Sequence, residues 1–153
     1  MKKLILAAPT MLIATLAVSS AAQAQEPANP VGFTVSCNIA AGQTTCNAQK
    51  DLPAGKRIVL EHVSARVTAP SGQTIQVYIS TSSPNLPSGT TALRHFLVLT
   101  PNSSGTYYFA SQPIRMYGTI GSYVLIHGQR NIYPGGAPGA IQYDLYFSGY
   151  LLP

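Results

Sequence analysis

Four carboxylates and three imidazoles are the entire acid–base and metal-binding stock of residues 25–153: Glu26, Asp51, Glu61, Asp144, His62, His95 and His127. Neutral imidazoles with one carboxylate suit zinc or iron. Glu61 with His62, His95 and His127 is therefore the one candidate metal set. It requires at least two histidines to meet Glu61, yet a strand sends the adjacent Glu61 and His62 to opposite faces unless a bulge intervenes. There is no H-x-H pair. Isolated, hydrogen-bonded histidines are the simpler expectation, and no cofactor is expected. Glu61 is conspicuous for a second reason: Val59, Val63, Ala65 and Val67 share its alternating face. A buried carboxylate costs several kcal/mol unless paired. It must therefore find a cation such as Arg94 or Arg115, serve as an acid in a pocket, or be turned outward by a bulge.

Nucleophilic chemistry has less support. No G-x-S-x-G occurs, and only Asp51 and Asp144 could complete a Ser-His-Asp triad on a β fold. Gly135 to Gly139 opens no helix, so it offers no dipole to a phosphate and reads as a turn. No catalytic residue is assigned, and the balance leans away from an enzyme. Aromatic side chains offer binding instead. There are nine tyrosines, four phenylalanines and no tryptophan, and Tyr78, Tyr146 and Tyr150 fall on the outward face of their strands. A tyrosine ring presents an apolar face beside a hydrogen-bonding tip, which suits stacking on a sugar. The competing use is cross-strand stabilisation of a sheet, worth about 0.2 to 1 kcal/mol per pair.

These residues sit in a chain with a recognisable leader. Lys2 and Lys3 precede an apolar stretch of 15 residues, Leu4 to Val18, and a small-residue tail ending Ala22-Gln23-Ala24. This order predicts a signal peptide over residues 1–24, with an A-x-A cleavage site. The stretch is shorter than the roughly 20 residues a membrane span needs, and no transmembrane segment is expected in the mature chain. Cleavage removes two lysines, leaving seven basic residues against four acids and a net charge of +3. Those seven form no stripe, so nucleic acid is not an expected partner. Export to the periplasm or the extracellular space delivers Cys37 and Cys46 to oxidising conditions, where two cysteines predict a disulfide. The segment between them carries Gly42, so the pair is expected to face each other across paired strands of a hairpin.

Residues recur with period two along the remainder. Ile75, Val77 and Ile79 alternate with polar neighbours, as do Val31 to Cys37 and Ile141 to Phe147, the pattern of half-buried strands. Further strands are expected at 44–48, 57–68, 93–99, 106–110, 114–117 and 122–127. Loops are expected at 81–91, 101–105 and 133–140. About nine strands and no helix predict an all-β chain. It is a single antiparallel β-sandwich of jelly-roll-like connection over residues 31–153, after a loose arm at 25–30.

The stretches Ala54 to Ala65, Pro70 to Gln73, Gln112-Pro-Ile-Arg-Met-Tyr117 and Phe147-Ser-Gly-Tyr-Leu151 resemble a group of small exported proteobacterial proteins of uncharacterised function. The resemblance covers most of the mature chain. It implies a β-sandwich in or outside the cell envelope and carries over no functional residue. The expectation is a binding module for carbohydrate or another envelope component. Self-association as a homo-oligomer through an unpaired edge strand is the competing reading, with a small metal-dependent jelly-roll enzyme behind it. A flat exposed row including Tyr78 and Tyr146 would mark the sugar platform.

Overall fold

The computed structural model describes residues 29–82, 93–131 and 139–153. The leader at 1–24, residues 25–28 of the arm and most of the loops expected at 81–91 and 133–140 lie outside the described residues. Nine strands are present among the described residues: β1 (Asn29–Ile39), β2 (Thr45–Asp51), β3 (Arg57–Thr68), β4 (Ile75–Ser82), β5 (Arg94–Phe96), β6 (Thr100–Pro101), β7 (Tyr107–Gly118), β8 (Tyr123–Arg130) and β9 (Ile141–Leu152). β1 begins within the expected arm, with Asn29 opposite Leu151 and Pro30 opposite Tyr150. No helix among the described residues is long and apolar enough to cross a membrane.

Every ladder is antiparallel, and the pairs nest: β1 with β9, β2 with β8, β3 with β7, β4 with β5. The chain is one long hairpin folded over on itself, its successive pairs alternating between two sheets. β9 against β3 and β8 against β4 complete them. The five-stranded sheet runs β1-β9-β3-β7-β6 and the four-stranded sheet β2-β8-β4-β5. That arrangement is the jelly-roll connection. Alternation explains the packing. Ile39, Val67, Ile79, Ile126, Ile141 and Leu145 are fully buried between the sheets, each such side chain stabilising the fold by roughly 1.5 to 3 kcal/mol.

The strand count conceals two differences from the sequence reading. Segments 106–110 and 114–117 form a single strand, β7, which continues through Pro113. Proline is tolerated there because β6 pairs only with Tyr108 and Phe109, so β7 is an edge strand at Pro113. The two-residue β6 lies at the start of the loop expected at 101–105 and is too short to show a periodicity.

The register of β3 breaks between Leu60 and His62 against both neighbours. A β-bulge at Glu61 makes an odd–even switch: Ile58 and Leu60 face the core before it, Val63, Ala65 and Val67 after it. Glu61 is exposed, so the alternation that seemed to bury a carboxylate is interrupted at that residue. Gly149 of β9 packs against this bulge, where an added Cβ would overlap the carbonyl oxygen of Val59.

Cys37 and Cys46 form a disulfide with Cα atoms 5.9 Å apart. The expected hairpin geometry is corrected: β1 and β2 belong to different sheets, so the bond ties one sheet to the other. A second fastener accompanies it. Arg130, only 1% exposed, donates from Nε to the Gln43 carbonyl at 2.8 Å, from Nη1 to Gly139 at 2.7 Å and from Nη2 to Ala40 at 2.8 Å. One buried guanidinium thereby holds the β1–β2 connection and the approach to β9. Buried polar groups need such partners.

Candidate functional site

The four residues of the metal set do not share a site. His62 lies on β3 of the five-stranded sheet, with Nε2 3.1 Å from Ser111 Oγ. His95 and His127 lie on β5 and β8 of the other sheet. Glu61 stands exposed on its bulge. Among the described residues no three His, Cys, Asp or Glu side chains are grouped to hold a metal ion.

The tyrosines also divide. Tyr78 occupies a row across the outer face of the four-stranded sheet, where the register aligns Asn47, His127, Tyr78 and Phe96. Its ring stacks on His127 with centroids 4.6 Å apart and tilts against Phe96 at 5.3 Å. The Arg94 guanidinium lies 4.8 Å from its centroid, and His127 Nδ1–H donates to Asn47 Oδ1. These rings spend their faces on one another, so Tyr78 acts as a cross-strand stabiliser. Burial and the Arg94 charge hold the His127 imidazolium pKa below its ordinary value.

Tyr146 and Tyr150 belong to the opposite, five-stranded sheet, so the expected row joining Tyr78 to Tyr146 does not exist. Tyr150 is half-buried opposite Val59 and, across it, Tyr117. The two rings flank Val59, which is buried outside the core. Tyr146 has a different setting. It opens onto a shallow groove of about 640 Å³ whose lining includes Ser64, Arg66, Val98, Phe109, Ser111 and Gln112.

Register explains how the groove is assembled. Tyr146, Ser64 and Ser111 form one cross-strand row, and Asp144, Arg66 and Phe109 the next. Tyr146 and Phe109 remain 46% and 49% exposed, with hydroxyls and an ion pair between them. Arg66 Nη2 donates to Asp144 Oδ2 at 3.2 Å, while Ser36 Oγ and Gln142 Nε2 donate to Oδ1 at 2.9 and 3.1 Å. Burial pushes the Asp144 carboxyl up, but these hydrogen bonds and the Arg66 charge outweigh it and hold the group below the usual carboxylate range. The carboxylate stays ionised and fixes Arg66 at the groove floor. Gln112 Oε1 is buried, and no group among the described residues bonds it.

Of the five exposed aromatic rings among the described residues, Tyr107, Phe109, Tyr117 and Tyr146 lie on the five-stranded face and Phe96 on the other. Sequence reasoning found Tyr146 but missed Phe109. Tyr107-Tyr108-Phe109 is aromatic at every position, so its alternation carries no phase. Arg66 and Asp144 are far apart in sequence, and only register makes them neighbours.

The nested pairs define the class: an antiparallel jelly-roll β-sandwich, with an aromatic-flanked groove on one outer face. No family model and no curated protein matches the chain. Among solved structures it is similar to one titled Desmodium yellow mottle tymovirus, at 12% identity over 95% of this chain and 97% of that one, TM-score 0.30. It is also similar to one titled structure of infectious bursal disease virus Gt strain, at 12% identity over 92% of this chain, TM-score 0.34. The match covers 46% of that second chain. The fold assignment rests on the strand pairing.

Proposed function

We propose that this chain is an exported binding module for carbohydrate, with the groove between Tyr146 and Phe109 as its site. The supporting observation is the pairing of two half-exposed rings with a floor that includes Ser64, Ser111 and Arg66, the last positioned by Asp144. A pyranose offers an apolar C–H face and a rim of hydroxyls. The rings take the first by stacking, and the floor takes the second. Each hydroxyl can accept from Arg66 or exchange a hydrogen bond with Ser64 or Ser111. The disulfide supports the exported setting, since such bonds persist in oxidising compartments.

The test is a glycan array of envelope and extracellular polysaccharides probed with the wild-type domain, then with Tyr146→Ala and Phe109→Ala. Each truncation is expected to weaken binding by about tenfold or more, the scale of losing one stacking face. Tyr78→Ala serves as the comparison and leaves the affinity unchanged. Equal loss in all three variants, or no glycan bound by the wild type, counts against the proposal.

A further inference from the structure

A second cleft, of about 310 Å³, opens where β5 of one sheet meets β7 of the other. Its lining includes Thr81, Arg94, His95, Arg115 and Tyr117, none of which lines the groove above. Both arginines are held in place by a tyrosine. Arg94 rests over the Tyr78 ring, and Arg115 Nε donates to the Tyr117 hydroxyl at 2.6 Å. Thr81 Oγ1 in turn donates to the Tyr117 carbonyl at 2.8 Å, bracing the junction of the sheets.

The charge around this cleft is one-sided. Arg66–Asp144 is the only ion pair among the described residues, so neither Arg94 nor Arg115 has a carboxylate partner there. Asp51 is occupied with Gln49. Glu61 is near enough to Arg115 to favour its charged form but makes no ion pair with it. Two positioned guanidiniums beside an imidazole and the Tyr117 hydroxyl, whose own hydrogen is not used in its bond from Arg115, supply the donors and positive charge that a tetrahedral oxyanion needs.

We propose that this cleft binds a phosphate- or sulfate-class oxyanion, held by Arg94 and Arg115. The site goes beyond the carbohydrate reading and does not depend on it. Calorimetric titration of the purified protein with inorganic phosphate and with inorganic sulfate, at low ionic strength, is the first arm. Co-sedimentation with phosphatidylcholine vesicles, with and without phosphatidic acid, is the second. Arg94→Gln and Arg115→Gln are each expected to weaken binding by about tenfold, the value of one charge-assisted contact. Lys50→Gln removes the same charge from the opposite edge of the four-stranded sheet and leaves binding unchanged. Arginine-dependent binding of the free ions identifies a small oxyanion ligand. Arginine-dependent binding confined to phosphatidic acid vesicles identifies a lipid phosphomonoester. No saturable binding in either arm, or equal weakening by Lys50→Gln, overturns the proposal. Both arginines are exposed, so the variants retain the fold, and near-ultraviolet circular dichroism verifies it.

Discussion

A histidine offered by the sequence as a metal ligand turns out to be packed as a ring. His127 is stacked between strands, hydrogen-bonded to Asn47 and close enough to Arg94 to feel its charge. Its folded pKa lies below the ordinary 6.5, so the unfolded chain binds the proton more readily. The stabilisation is fully present above pH 6.5 and is lost as pH falls through that value toward the depressed folded one. Urea unfolding across this window is expected to show stability declining with acidification, and His127→Gln is expected to flatten the decline. An identical slope in wild type and variant would contradict the assignment. Asp144 contributes separately and at lower pH, because its depressed carboxyl loses its bonds only under more acidic conditions. Composition exposed the scarcity of such groups but not their neighbours. Arg130 was missed outright, although it continues the inward alternation of Val124, Ile126 and Gly128; a buried guanidinium satisfied by carbonyls has no sequence signature distinct from a surface one.

The element that most shapes the five-stranded sheet is the bulge at Glu61. It reverses the inward face of β3, turns a carboxylate out of the core and requires a neighbour without a side chain. Gly149 is that neighbour. Gly149→Ala places a methyl group against the Val59 backbone, where no side-chain rotation relieves the clash, and is expected to cost about 3 kcal/mol in chemical denaturation. Gly32→Ala on β1 meets its nearest atom at an ordinary 3.6 Å and is expected to be nearly neutral. Similar losses in the two variants would show that the bulge does not need this glycine. The bulge was partly legible: Ile58 and Leu60 against Val63, Ala65 and Val67 is a phase change visible in the residues, and outward rotation was one of the expected outcomes. The unity of β7 was hidden because proline usually marks a break, and it is tolerated here only by an edge position that the sequence does not display.

At the scale of the whole molecule, strand existence was legible and strand pairing was not. Alternation is a local property, whereas Asn29 meets Leu151 through a nest of pairs closed by long-range packing. The same limit hid the groove, whose walls come from β7 and β9 and whose floor comes from β3. The cysteines were paired correctly but set in the wrong geometry, since they join sheets instead of hairpin partners. With nine residues of sequence separation, the disulfide is expected to contribute about 2 to 3 kcal/mol on the chain-entropy account. Cys37→Ala with Cys46→Ala should lose that amount in urea while keeping the fold, as Arg130 still holds the β1–β2 connection. Complete unfolding of the double variant would show the disulfide to be indispensable. The groove remains the centre of the account, and the most direct measurement is an amide chemical-shift map of the domain titrated with the strongest glycan from the array. Shifts clustered at Ser64, Arg66, Phe109 to Gln112 and Tyr146 are the predicted result; shifts clustered around Tyr78 and His127 on the four-stranded face would contradict it.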